Sequence, residues 1–129
     1  MKKFLLPLLS VILLTASQQG EKKDMNQVTP EERDAVESLI WVKQANAEND
    51  ARDSLNRGDT RLLAMATRGS YIPGIDPEQS TKAKNVCGVR YLPGSTDTVL
   101  GDTHLKLLQA AESYASTYNR IMIGHCLNP

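Results

Sequence analysis

Arg61-Leu62-Leu63-Ala64-Met65-Ala66-Thr67 is the stretch on which the fold turns. It is apolar without a break from Leu62 to Ala66 and lies between Gly58 and Gly69. A short apolar run bounded by turn residues reads as a buried strand. Leu, Ala and Met also favour helix, and that reading would remove one strand from the sheet. Strand is the reading carried forward.

Downstream, Tyr71-Ile72-Pro73-Gly74 predicts a type II turn. Pro presets the first central dihedral and Gly accepts a positive φ at the second. Asp76 to Lys84 is polar and reads as a surface loop. Asn85-Val86-Cys87-Gly88-Val89-Arg90-Tyr91-Leu92 reads as a second strand that leaves at Pro93-Gly94. The pattern Tyr, Ile or Leu, Pro, Gly thus occurs twice, and Gly58-Asp59-Thr60 is echoed by Gly101-Asp102-Thr103. These echoes are too short for a repeat architecture; they suggest two strands that leave one sheet by the same kind of turn. Asp102 or Thr103 then caps a helix with Leu105, Leu108, Ala111, Ala115 and Tyr118 on one face. Leu107 and Tyr114 flank that face, and Asn119 ends the helix. Ile121-Met122-Ile123-Gly124-His125-Cys126 reads as a last strand.

Upstream, Thr29-Pro30-Glu31-Glu32 has the form of a capping box, with Thr29 as N-cap, Pro30 in the first turn and Glu32 reaching back. Val36, Leu39, Ile40, Lys43, Ala47, Ala51 and Leu55 continue at spacings of three and four, up to a stop at Gly58. Trp41 and Val42 widen the core face of this helix. The expected fold is α+β: a small single domain over residues 29–129 in the order α-β-β-α-β, with two helices packed on a sheet of about three strands.

Cys87 and Cys126 are the only cysteines. In an exported chain such a pair predicts a disulfide, here joining the second and last strands. A redox pair commonly sits in Cys-x-x-Cys, and these two lie far apart.

Export is read from the start of the chain. Met1-Lys2-Lys3 is a short basic segment, and Phe4 to Thr15 is almost wholly apolar. As a helix that run spans only about 18 Å, against a bilayer core of about 30 Å. Residues 1–17 therefore read as a cleavable signal peptide. Residues 18–28, rich in Gln, Lys and Glu, read as a flexible tether. Leu14-Thr15-Ala16-Ser17 resembles the lipobox of bacterial lipoproteins, with Ser17 where that family carries its lipid-accepting Cys. A hydroxyl cannot form the thioether. With serine the resemblance implies a domain released in soluble form; if position 17 is natively Cys, it implies a lipid anchor as the sole membrane attachment. The expected location is the periplasm, or association with the outer membrane, in a Gram-negative-type envelope.

The chain has 15 basic and 15 acidic residues. Without Lys2 and Lys3 it is slightly acidic, and both signs are interspersed. This excludes an electrostatic case for nucleic acid. No P-loop or dinucleotide glycine fingerprint is present, so no cofactor is expected. His104 and His125 stand outside any zinc-ligand spacing, so no metal is expected either. His104 reads as a solvated first-turn residue and His125 as a neighbour of the disulfide.

Two functions remain. The first is a non-enzymatic accessory module that binds another envelope protein through the loops carrying Tyr71, Ile72, Tyr91, Leu92 and Asp97. Tyrosines on rigid turns give contact area at low entropy cost. The alternative is a small periplasmic hydrolase using Ser95, Asp97 and His104, although no Gly-x-Ser-x-Gly elbow accompanies Ser95.

Overall fold

The computed structural model describes residues 28–67 and 69–128. The residues read as signal peptide, the lipobox-like motif and all of the stretch read as tether but Val28 lie outside them. Val28 is buried, so the packed domain takes in that residue.

The elements, in chain order, are helix α1 (Pro30–Leu39), a 3-10 turn (Ile40–Gln44), α2 (Ala47–Asn56), strand β1 (Leu62–Ala64), α3 (Pro77–Cys87), β2 (Val89–Tyr91) and α4 (Asp102–Leu127). The class is α+β as expected. The order α-β-β-α-β and the third strand are not what the chain adopts.

Each departure has a local cause. The single first helix breaks because Asn46 carries a second start signal. Its side chain accepts from the Asn49 N–H at 3.0 Å, and Ala45 is extended, so α2 begins afresh. The supposed surface loop is α3. Asp76 caps it by accepting from the Glu78 N–H at 2.9 Å, and Pro77 opens the first turn. Only Ala83 and Cys87 of this helix are buried, too narrow a stripe to stand out in the sequence. Cys87 is therefore helical, and the second strand shortens to Val89–Tyr91. The supposed last strand is the second half of α4, which runs through Asn119 without interruption. Tyr118 and Met122 extend the stripe set by Ala111 and Ala115. The β-branched pair around Met122 had read as strand; tertiary packing overrides that preference.

Within Arg61 to Thr67 a strand does form, at Leu62–Ala64. Leu62, Leu63 and Ala64 of β1 pair in parallel with Val89, Arg90 and Tyr91 of β2, and α3 makes the crossover that a parallel pair requires. Met65 adds an antiparallel bridge to Tyr71. Both Pro-Gly turns form: the Ile75 N–H bonds to the Ile72 carbonyl at 3.4 Å and the Ser95 N–H to the Leu92 carbonyl at 3.2 Å.

The two-stranded sheet is completed by a side chain. Leu62 and Ala64 face β2, which leaves the N–H and C=O of Leu63 pointing away from it. The Asn119 amide takes the place of a third strand: its Oδ1 accepts from Leu63 N at 2.7 Å, and its Nδ2 donates to Leu63 O at 2.9 Å and to Pro73 O at 2.8 Å. Asn119 is wholly buried. One side chain thus fixes α4 to the sheet and to the first Pro-Gly turn.

Helix α4 packs against α1, the 3-10 turn, α2, α3 and β1. Against α2 it places Tyr118, whose hydroxyl donates to Ser54 Oγ at 2.7 Å, and Tyr114, whose hydroxyl donates to Asp50 at 2.6 Å. Burial, together with the Asp50 bond, holds the Tyr114 phenol well above its ordinary value. Trp41 meets Tyr114 edge-on with ring centres 5.0 Å apart, so it belongs to the packed face as expected. The Cys87–Cys126 disulfide forms, with Cα atoms 5.6 Å apart. It joins the last turn of α3 to the last turn of α4, and not two strands.

On the surface, a hydrogen bond from Arg61 holds the Asp59 carboxyl down at about 2. That contribution exists above the ordinary carboxylate range and fades as pH falls towards that value. The pair is exposed, so the effect on stability is small.

A buried carboxylate marks the start of α4. Thr29 Oγ accepts from the Glu32 N–H at 3.1 Å, as the capping box predicts, while the Glu32 carboxylate is buried against Gly101, the residue before α4. A helix N-terminus favours such a negative group. Gly101 has φ +153°, and a Cβ there would fall onto the Glu32 carboxylate. Gly101→Ala is expected to lower stability by about 2–3 kcal/mol through backbone strain and displacement of that group. A urea midpoint within experimental error of the parent would contradict this.

Candidate functional site

Ser95 and His104 are close in the fold but are held apart chemically. The Ser95 hydroxyl donates to the Leu92 carbonyl at 2.7 Å and accepts from the Ala66 N–H at 3.3 Å. It therefore locks the second Pro-Gly turn to the end of β1. His104, expected on the surface, is wholly buried. Its Nδ1 accepts from the Leu100 N–H at 3.0 Å, which leaves the proton on Nε2 to donate to the Gly94 carbonyl at 3.0 Å. Both ring nitrogens are thus spent on main chain, and neither serves Ser95 as a base. Gly94 has no room for a side chain, since a Cβ would lie 2.6 Å from Leu39 Cγ. Asp97 is exposed on the following loop and has no hydrogen bond to His104. These residues hold a loop. His125 is exposed beside Cys126. Among the described residues no group of three or more His, Cys, Asp or Glu is placed to hold a metal ion.

The five residues of the expected partner surface divide. Ile72 and Leu92 are buried in the core; each precedes a Pro-Gly turn and anchors it from beneath. Tyr71 is half-buried, Tyr91 is 51 % exposed, and Asp97 lies beyond them on the second loop. The two tyrosines do not share a face, because neighbouring strand positions point to opposite sides. Tyr91 pairs with Ala64 and Tyr71 with Met65, adjacent residues of the same strand segment, and the Tyr91 hydroxyl bonds to Ser70 Oγ at 2.9 Å.

Tyr71 is the hub of the side that faces α4. Its hydroxyl donates to Glu112 on α4 and lies 3.8 Å from the Met65 sulfur. Three cavities touch it. An open groove of about 530 Å³ runs between α4 and the 71–75 turn, past Ser113, Ser116 and Thr117 to Arg120. A second hollow of about 300 Å³ lies towards α3, at Ser80 and Lys84. A smaller cavity of about 150 Å³ sits on the other side, between β1 and α4, and reaches Thr67 and Gln109. Val99, an exposed apolar side chain, stands at its edge.

The sequence did not single out Glu112, Gln109 or Thr67. Glu112 and Gln109 lie on the polar side of an amphipathic helix, where such residues are ordinary. Their relation to Tyr71 exists only once α4 docks against the sheet. Thr67 gave a faint signal, a hydroxyl closing an apolar run; it is 4 % exposed.

No family model, curated protein or solved structure matches the chain.

Proposed function

We propose that this is an exported protein of a Gram-negative-type cell envelope, and that its disulfide-stapled domain is a non-enzymatic accessory module that binds another envelope protein. The observation that carries the reading is Tyr91, 51 % exposed, hydrogen-bonded to Ser70 and set beside the Pro-Gly turn that Leu92 anchors. Aromatic residues on rigid supports are the usual anchors of protein interfaces. The disulfide suits an oxidising compartment, and the signal-like residues 1–17 supply the route. With Ser17 the mature domain is free in the periplasm; with a native Cys at position 17 it is tethered by lipid to a membrane.

A photo-crosslinking residue placed at position 91 of the full chain in intact envelope-bearing cells tests this. The expected result is a discrete adduct with one envelope protein, reduced about tenfold by Asp97→Ala, the other exposed residue of the expected surface on that loop. That fold-change corresponds to about 1.4 kcal/mol, within the range of an interface anchor. The same label at Glu48, on the exposed side of α2, is expected to give no such adduct. Equal adducts from both positions would refute the surface. The mass of the recovered chain also reports where the signal is cut and whether lipid is attached.

A further inference from the structure

We infer that Arg57, at the C-terminal end of α2, together with Arg61 and Arg90 on the paired strand segments, forms a binding site for a phosphomonoester dianion. The site is separate from the proposed partner surface: Arg90 precedes Tyr91 on β2 and points to the opposite side.

The fold brings the three guanidinium groups together. Leu63 pairs with Arg90, so these two side chains lie on one side of the sheet. Arg61, two residues before Leu63, lies on that side as well. The position opposite it is Gly88, which carries no side chain; a Cβ there would meet Arg61 Cγ at 3.5 Å. The Arg90 guanidinium lies 5.8 Å from the centre of the Tyr118 ring. The Tyr118 hydroxyl and Arg57 Nη2 meet on the same atom, Ser54 Oγ, at 2.7 Å and 3.2 Å. Asp59, the partner of Arg61, is tied to the same residue through its N–H, which donates to the Ser54 carbonyl at 2.8 Å. The three arginines therefore surround Ser54 and the end of Tyr118.

Each guanidinium is held by one edge and keeps donors to spare. Arg57 gives one N–H to Ser54, which is 2 % exposed. Arg61 spends Nε and one Nη on Asp59. Arg90, half-buried, has its flat face towards Tyr118 and no hydrogen bond or ion pair with any described residue. A side chain fixed in advance loses little entropy when it binds. A helix C-terminus also favours a cation, which accounts for Arg57 but not for two more arginines on the strand segments.

Charge decides the class of ligand. Asp59 offsets one of the three cations, and no other carboxylate among the described residues pairs with them. The Asp59 carboxyl is held down by Arg61 first and more weakly by Arg90, so the two charges act at one place. A phosphomonoester carries about −1.5 to −2 at pH 7 and three strong acceptor oxygens. Planar arginine forks match such oxygens in pairs. A carboxylate offers a single charge and two oxygens. The phosphoryl group can belong to a small soluble ester or to a lipid headgroup, and the contact chemistry is the same.

Inorganic phosphate and phenyl phosphate, titrated into the full-length protein with its disulfide intact, test the site through amide chemical shifts. Acetate at matched ionic strength is the control. Millimolar binding is expected, with shifts confined to residues 54–61 and 88–90. Acetate should bind about tenfold more weakly or worse. Arg90→Gln should weaken phosphate about tenfold, the worth of one charge-assisted hydrogen bond. Arg90→Lys keeps the charge and loses the fork, and should weaken it about threefold or more. Arg52→Gln, which removes an arginine engaged with Glu48 elsewhere on α2, should leave binding unchanged. Asp59→Asn should tighten phosphate about threefold by removing the competing carboxylate, a gain that no folding defect produces. Phosphatidylcholine vesicles with and without phosphatidic acid distinguish the source. Capture that requires phosphatidic acid and is lost in Arg90→Gln places the phosphoryl group on a lipid; phosphate shifts without capture place it on a soluble ester. Shifts spread over the whole surface, equal affinity for acetate, full affinity in Arg90→Lys, or weaker binding by Asp59→Asn would each overturn the site.

Discussion

Replacing Asn119 by leucine will remove about 4 kcal/mol of stability or more, the largest single-residue effect expected in the domain. The estimate follows from the groups left behind. Leu63 N–H, Leu63 C=O and Pro73 C=O all rely on this amide. Each buried polar group that loses its partner costs about 1–3 kcal/mol. Leucine is close in size, so the experiment isolates hydrogen bonding from cavity formation. Asn119→Asp is a sharper variant. Its carboxylate still accepts from Leu63 N–H but faces two carbonyl oxygens that need a donor, and it buries a charge. Both variants should lower the urea midpoint, with the slope of the transition retained. In Asn119→Asp part of the lost stability should return at low pH, where the protonated acid can donate to one carbonyl. A midpoint shift worth under 1 kcal/mol for both variants would mean that the amide does not hold the sheet.

Reduction of the Cys87–Cys126 disulfide is expected to have an effect of the same size. The bond closes a sequence separation of 39 residues, worth about 4 kcal/mol on the chain-entropy account. A domain of this length has only about 5–15 kcal/mol in total. The closed segment contains β2 and nearly all of α4, so opening it releases the helix that carries Asn119. The comparison is a urea titration with and without reductant, repeated on a Cys87→Ala and Cys126→Ala double variant. Reductant should lower the parent midpoint towards that of the double variant and leave the double variant unmoved. Coincident curves for oxidised and reduced parent would contradict the assignment.

What the sequence disclosed follows a physical division. Features written in a few adjacent residues were legible: the Thr29 cap, the strand at Leu62–Ala64, both Pro-Gly turns and the cysteine pair. Features that depend on what lies opposite were not. Asp76-Pro77-Glu78 is as good a helix start as Thr29-Pro30-Glu31, yet α3 offers only Ala83 and Cys87 to the core and so lacks an apolar stripe. Asn119 looked like a helix stop because an amide inside a helix has no local reason to be there. Its reason is a strand edge 56 residues away. Ile121 to Ile123 looked like strand because β-branched residues crowd there; the stripe through Tyr118 and Met122 decides for helix. His104 was expected in solvent and is buried, because Leu100 and Gly94 supply bonds to both of its nitrogens. The five residues expected to form a partner surface divide by burial. Tyr71 and Tyr91 were chosen for their turns, and Ile72 and Leu92 proved to be the anchors beneath. Glu112 became a neighbour of Tyr71 only through docking of α4.

The position of α4 in the chain sets an order of events. This helix touches α1, α2, α3 and β1 and supplies the amide that substitutes for a third strand, yet it is the last element of the fold. A polypeptide emerging N-terminus first from a ribosome, or threading through a secretion channel, has three short helices and an unfinished sheet edge until α4 arrives. Its earlier segments have little to pack against and form no stable core alone. On the proposed export route such a chain stays unfolded in transit and folds on the far side, where Cys87 and Cys126 meet an oxidant. The element that closes the core thereby also times its closure.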